Sequence, residues 1–195
     1  MKTSFLIALL AGLSLSSVAH AQASNWRTYY EQPISTFETN KWQVEQINVA
    51  VTGSNKVVWN GRGTGNAVTK VKSLFTGATK LGTRKLQGKR AVSVTILVLD
   101  FQSPTKQVRR LDRTDLGVHH INFSIEINDF KSGTVLLPPT VIEADLEALT
   151  GSFARAFVAQ KQGQKERVTQ HLASVIQGFL GQGPDPRRTF KRYVK

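Results

Sequence analysis

Ala91–Phe101 (AVSVTILVLDF) and His119–Asp129 (HHINFSIEIND) are the two stretches that decide the fold of this chain. The first is β-branched and apolar on both faces at its centre, which is typical of a central strand. The second has strict period-two alternation, so Phe123 and three isoleucines face one way and polar side chains face the other. These stretches predict two strands of a sheet.

Two further strands flank this pair. Trp42–Val51 alternates between apolar and polar residues, and one slip in phase near Gln46 predicts a β-bulge. After the turn signal Lys131–Gly133, Thr134–Leu146 returns as a fourth strand. Because proline cannot donate to a ladder, Pro138-Pro139 predicts that this strand lies at an edge or is interrupted there.

Two segments have helical periodicity. The first helix follows a glycine-rich turn, and its stripe consists of Val68, Val71, Leu74, Phe75, Ala78 and Leu81. The second spans Glu166–Leu180 and is followed by Gly181, a good helix cap. A right-handed crossover through the first helix makes the strands before and after it parallel. The predicted fold class is α+β: a mixed four-stranded sheet in β-α-β-β-β-α order, with both amphipathic helices on one face.

The ends of the chain differ from this domain, which we place at residues 42–181. Residues 1–21 read as a signal peptide, with an apolar core too short to span a bilayer and a cleavage motif ending near Ala21. Residues 22–41 read as an irregular arm, and residues 182–195 as a disordered basic tail. We therefore expect an exported, periplasmic protein whose mature chain has no transmembrane segment.

Positive charge is concentrated in one part of the chain. The formal net charge is +13, yet between Glu45 and Asp100 there is no acidic residue, while residues 56–90 contain nine Lys and Arg. We predict an anion-binding surface on the first helix and the connector after it, formed by Lys70, Lys72, Lys80, Arg84, Lys85, Lys89 and Arg90. The expected partners are anionic lipid or wall polymer, or an envelope protein. Nucleic acid is disfavoured for an exported protein, and a merely solvated helix face is the alternative interpretation.

Signals for cofactors and metals are weak. The chain has no cysteine, which excludes disulfides, thiolate metal sites and a cysteine nucleophile. The turn Gly61–Gly65 lacks the spacing of a dinucleotide-binding or P-loop motif. The histidines at positions 20, 119, 120 and 171 lack metal-ligand spacing. We therefore expect no cofactor and no metal.

Signals for catalysis are also weak, and we expect no catalytic residue. Asp100, Asp112 and Asp115 could gather after the central strand, but Arg109, Arg110 and Arg113 lie among them, as in a solvated ion-pair network. The sequence therefore favours a non-enzymatic binding or accessory protein. Two alternatives stay open: an envelope hydrolase that uses Asp100, Asp112 or His120 in a cleft, and a protein–protein adaptor that uses an exposed sheet edge.

Four short segments carry a family resemblance: Val58–Arg62 (VWNGR), Gly117–Phe123 (GVHHINF), Lys131–Gly133 (KSG) and Gly163–Ala173 (GQKERVTQHLA). On these residues the chain resembles a family of exported envelope proteins from Gram-negative bacteria that is known only as a domain of unknown function. The resemblance covers about residues 42–181 and implies no activity or cofactor. The order of elements also resembles that of small envelope accessory proteins, such as lipoprotein activators of wall synthesis and auxiliary components of lipid transporters.

Overall fold

A computed structural model describes residues 27–28, 34–60, 63, 65–111, 117–152, 155 and 163–189 of the chain. The strands are β1 (Arg27–Thr28), β2 (Trp42–Val51), β3 (Val57–Val58), β4 (Arg90–Gln102), β5 (Val118–Asp129), β6 (Val135–Glu143) and β7 (Leu146–Glu147). The α-helices are α1 (Thr36–Thr39), α2 (Gly65–Thr83), α3 (Lys106–Arg110) and α4 (Gln164–Phe179). Short 3-10 helices span Ser54–Lys56 and Pro186–Thr189.

The predicted mixed sheet is confirmed. The spatial order is β1-β6-β5-β4-β2, and β3 and β7 add short pairings to β4 and β5. Strands β2 and β4 are parallel and are joined through α2, while β4–β5 and β5–β6 are antiparallel. The four long strands and two long helices therefore follow the predicted β-α-β-β-β-α order.

Two irregularities in the sheet lie where the sequence predicts them, while the register shift of β4 against β5 between Val98 and Asp100 was not predicted. The register of β2 against β4 shifts between Val44 and Gln46, so the slip in phase is a β-bulge, as predicted. Opposite Pro138-Pro139 the β5–β6 register shifts as well, because neither proline can donate to the ladder. Strand β6 is not an edge throughout, since β1 pairs with it at Thr140 and Val141.

The core lies between the sheet and the two long helices. Phe75 of α2 packs edge-on against Phe101 of β4 and Phe123 of β5, with ring centroids 6.4 and 5.3 Å apart. All three rings are fully buried. The stripe of α2 is buried as predicted except at its ends: Val68 is half-buried, and Leu81 is 45% exposed. Leu81 lies two turns after the buried Leu74, on the same side of the helix, but it is not covered there, so the prediction for Leu81 was wrong.

Helices α2 and α4 pack side by side and run parallel. A Cβ built on Gly77 would lie 4.0 Å from Thr169 Cγ2, whereas one on Gly82 would lie 2.7 Å from the Ala173 carbonyl oxygen. A later position of α2 therefore lies against a later position of α4, as in a parallel pair of helices. The helices come close at Gly82, where only a hydrogen atom fits.

The predictions for the ends of the domain need correction. The arm at residues 22–41 is not wholly irregular, because it contains β1 and α1, and Thr39 Oγ1 donates to the Leu180 carbonyl at 2.9 Å. The tail is ordered as far as Thr189, where Asp185 accepts hydrogen bonds from the Arg187 guanidinium at 2.6–3.1 Å. The segment after β4 contains a short helix, α3.

Two predicted segments lie outside the described residues wholly or in large part. They are the predicted signal peptide, residues 1–21, and the end of the predicted basic tail, residues 190–195. In the part of the chain that is described, none of the helices has the length and apolarity to cross a membrane.

Candidate functional site

Helix α2 carries three of the seven predicted anion-binding residues, Lys70, Lys72 and Lys80, and the other four follow it in the chain. Its apolar stripe is buried against the sheet, so the lysines outside that stripe remain in solvent. All seven predicted residues, Lys70, Lys72, Lys80, Arg84, Lys85, Lys89 and Arg90, are exposed. The helix has three lysines and no acidic residue, and no carboxylate therefore neutralises them from within it.

The seven residues do not line one cleft, because Lys70 lies in a different cleft from Lys80 and Arg84, the first residue after α2. Lys80 and Arg84, one helical turn apart, line a cleft between α2 and the edge strand β2. We call this the strand-side cleft. Its volume is about 480 Å³, and its other walls include Val44, Glu45, Ile47 and Leu86.

Lys70 belongs to a second cleft, which we call the helix-side cleft. It has a volume of about 360 Å³ and is lined by Trp59, Thr69, Lys70, Ser73, Leu74 and Lys165. Trp59 is held by stacking on Phe101, with ring centroids 5.8 Å apart. Lys165 of α4 was missed by sequence reasoning because it is remote in sequence, and only the parallel packing of α2 and α4 brings it to Lys70.

Two residues of the connector, residues 84–90, bond to other parts of the chain. Lys85 Nζ donates to the Gln182 carbonyl at 3.0 Å, which ties the connector to the segment after α4. Arg90 Nε donates to Asp129 Oδ2 at 2.8 Å. Hydrogen bonds from the Ser132 backbone and from Arg90 hold the pKa of Asp129 well below its usual range. The charge of Arg90 is therefore largely neutralised by Asp129. Its prediction as an anion-binding residue is corrected accordingly.

Lys72 and Lys89 have no ion-pair partner in the part of the chain that the structure describes. Both are exposed, and neither lines the strand-side or the helix-side cleft. They add positive potential around the clefts without a defined site of their own.

The candidates for acid–base chemistry are held in separate hydrogen bonds. Asp100 Oδ1 accepts from Gln102 Nε2 at 2.9 Å, and His120 Nδ1 lies 3.1 Å from Asp145 Oδ2. Asp145, which sequence reasoning missed, also accepts from the Ile121 backbone N–H at 3.0 Å. Asp112, Asp115 and Arg113 lie outside the described residues. Among those described, no group of three or more His, Asp and Glu could hold a metal ion.

His119 points into the core, as its parity with Ile121 and Phe123 predicts. Its Nε2 lies 2.9 Å from Gln164 Oε1, and Gln164 Nε2 donates to the Leu149 carbonyl, so the imidazole nitrogen is the donor. Burial lowers the pKa of His119 to about 4. Burial also lowers the pKa of His171, whose Nε2 lies 3.2 Å from the Ala144 carbonyl oxygen. Both are neutral structural histidines at neutral pH.

Residue Arg109 was expected in an ion-pair network with the aspartates of its loop. Asp112 and Asp115 lie outside the described residues, so that expectation stays a prediction. Arg109 Nη2 donates to Asn60 Oδ1, and Asn60 has a left-handed backbone with φ of 56°. Burial lowers the pKa of Arg109 somewhat. This contact joins the segment after β4 to the turn before α2.

Solved structures share part of this architecture at low identity. Protein XCC0632 from Xanthomonas campestris, of family DUF330, is 12% identical over 80% of this chain and 88% of its own, with a TM-score of 0.41. The PelC dodecamer from Paraburkholderia phytofirmans is 12% identical over 75% of this chain and 96% of its own, with a TM-score of 0.31. A Caulobacter crescentus CB15 protein is 17% identical over 56% of this chain and 79% of its own, with a TM-score of 0.36. With TM-scores below 0.5, none of these likenesses bears on what the protein does.

Comparison of the sequence itself is more decisive. Curated proteins give no match. The model of a family of unknown function, DUF6778, matches residues 40–195, a range that contains all the long strands and helices and both clefts. This chain is therefore a member of the DUF6778 family.

Proposed function

We propose that this protein is a non-enzymatic, exported accessory protein that binds an anionic partner of the cell envelope through the exposed basic surface of α2. The observation that carries the proposal is the pair Lys80 and Arg84, which line one cleft and have no ion-pair partner in the described residues. Cations that are left unpaired on a rigid helix attract polyanions, and the attraction falls with salt.

The first 21 residues support a location in the periplasm. They combine a positive start, a short apolar core and a small-residue cleavage motif, which is the composition of a cleavable signal peptide. A periplasmic protein meets anionic head groups and wall polymers, and both are complementary in charge to α2.

The alternatives have less support from the described residues. The hydrolase alternative places Asp100, Asp112 or His120 in a cleft, but neither Asp100 nor His120 lines the strand-side or the helix-side cleft. Asp100 bonds to Gln102, and His120 lies 3.1 Å from Asp145. An adaptor that adds a strand to β2 would meet a bulge at Glu45 and a bridge between Gln43 and Gln87, and such features discourage edge pairing.

The test is co-sedimentation of the mature protein with anionic phosphatidylglycerol vesicles and, separately, with purified sacculi, at low and at high salt. We expect binding to at least one of them that weakens steeply as salt rises. The double variant Lys80→Gln/Arg84→Gln should bind about thirtyfold more weakly, because each cation near an anionic surface contributes about 1 kcal/mol.

A matched control separates this site from net charge alone. Lys106 and Arg110 are also exposed and one helical turn apart, but they lie on α3, beyond the opposite end of β4. Lys106→Gln/Arg110→Gln removes the same charge and should change binding by less than about threefold. Absence of binding to both vesicles and sacculi, or equal loss in the two double variants, would refute the proposal.

A further inference from the structure

The strand-side cleft contains opposite charges that do not meet. Glu45 lines it together with Lys80 and Arg84. No ion pair joins Glu45 to either cation in the described part of the chain. An ion pair between exposed side chains gains little, because water screens the charges and both long chains lose freedom. Both signs of charge therefore stay available to a ligand in this cleft, whose volume is about 480 Å³.

The β-bulge of β2 explains how Glu45 reaches this cleft. Val44 pairs with Val92 and Gln46 with Ser93, so Glu45 is the extra residue, without a partner on β4. A bulge re-aims the side chains around it. In the regular alternation of a strand, Val44, Glu45 and Ile47 could not all line one cleft, yet here they do.

The walls of the cleft also include apolar surface. Val44 and Ile47 are half-buried, and Leu86 is 4% exposed. A purely polar anion would leave these side chains against water. A ligand that carries a hydrocarbon portion beside its charged group would cover them.

We infer that the strand-side cleft binds the head group of a phosphoethanolamine lipid, with the phosphate at Lys80 and Arg84 and the primary ammonium at Glu45. A phosphate offers acceptor oxygens to two cations, and an ammonium offers three N–H donors to a carboxylate. The apolar wall lies beside the glycerol backbone. A phosphoethanolamine head group is zwitterionic, so this inference goes beyond the anionic partner of the proposed function, although it rests on the same two cations.

The experiment compares phosphatidylcholine vesicles with and without phosphatidylethanolamine, and uses phosphatidylglycerol vesicles and sacculi as in the test above. Choline lacks the N–H donors, so it cannot satisfy Glu45 in the same way. We expect about threefold tighter binding to the ethanolamine vesicles, the size of one exposed ion pair. Glu45→Gln should abolish this preference and leave phosphatidylglycerol binding intact.

Two controls complete the design. Glu38→Gln removes an exposed carboxylate that pairs with Lys41 outside the cleft, and it should keep the preference for ethanolamine. Soluble phosphoethanolamine, followed by amide NMR shifts at Glu45 and Arg84, distinguishes the free ester from the lipid. Shifts with the free ester but no preference on vesicles would overturn the assignment to a lipid.

The remaining outcomes separate the two proposals. Binding to phosphatidylglycerol or sacculi with no ethanolamine preference overturns the head-group inference and leaves the proposed function standing. A preference that survives Glu45→Gln also overturns the inference. Loss of binding to every anionic surface overturns the proposed function itself.

Discussion

The two layers of the molecule, the strands and the helix that crosses over them, carry opposite charge. The four long strands β2, β4, β5 and β6 contain five carboxylates and a single Lys or Arg, Arg90. Helix α2 contains three lysines and no carboxylate. Because period-two alternation sends the apolar side chains of each strand toward the helices, the polar residues of the strands collect on the opposite face. The charge of this protein is therefore sorted by layer, and its near-neutral body carries a cationic helix.

The largest expected effect comes from comparing a buried residue of β5 with a residue on the opposite face of the neighbouring strand β4. Phe123→Ala removes a fully buried ring on the helix face and should cost about 3–5 kcal/mol of unfolding free energy. Thr95→Ala on the other face, opposite Glu126, should cost no more than about 0.5 kcal/mol. Urea denaturation of both variants measures the difference, and comparable costs would contradict the assignment of the core to one face.

The buried histidine His119 allows the burial of the helix face of β5 to be tested by pH. His119 is buried with a pKa of about 4, below the unfolded value of 6.5, so between these pH values the unfolded chain binds a proton that the folded chain does not. The contribution of neutral His119 to the free energy of unfolding is therefore fully present above pH 6.5. It is lost as the pH drops toward 4, by about 3 kcal/mol in total. Denaturation midpoints at a series of pH values measure this loss.

A substitution of the buried histidine measures its share of the pH dependence of stability. His119→Gln removes the buried imidazole and should flatten the stability profile between pH 6.5 and 4. An equal slope in the wild type and in His119→Gln would show that burial of His119 does not govern the acid response. His171, whose pKa is also lowered by burial, accounts for any slope that remains.

Within the helix layer, a pair of glycines predicts smaller effects of opposite sign. Gly82→Ala places a methyl group 2.7 Å from the Ala173 carbonyl oxygen and 3.0 Å from Ile176, so α2 and α4 must separate, at about 1–3 kcal/mol. Gly77→Ala meets only Thr169 at 4.0 Å and should stabilise by up to about 1 kcal/mol, since alanine is the better helix former. Thermal melting of the two variants gives the signs, and stabilisation by Gly82→Ala would refute the close approach of the helices.

Local patterns were enough to predict the four long strands and most of the core, but not the two-residue strands β1, β3 and β7. Phe123 and its isoleucine neighbours alternate because one face of β5 is buried, and the slip near Gln46 is visible because a bulge breaks that alternation. Pairings between distant segments were not predictable in this way. Arg90 is neutralised by Asp129 because of the β4–β5 register, which no property of residues 84–90 reveals.

The candidate site was predicted as a list of cations, without their arrangement. Lys80 and Arg84 share a cleft because they are one turn apart, and this much follows from helical spacing. Lys70 and Lys165 meet only because α2 and α4 run parallel, and Glu45 reaches Lys80 and Arg84 only because β2 lies beside α2. The order of the tail was missed because its contacts, such as Gln182 to Thr39, join the two ends of the chain.

The parallel packing of α2 and α4 also has an electrical consequence for the whole molecule. Each helix carries roughly half a positive elementary charge at its amino end, and here both amino ends lie on the same side of the molecule. The two dipoles add, and Lys70 and Lys165, near those ends, enlarge the sum. A charged surface exerts a torque on such a molecule before contact, so the protein should approach an anionic layer already turned to one orientation.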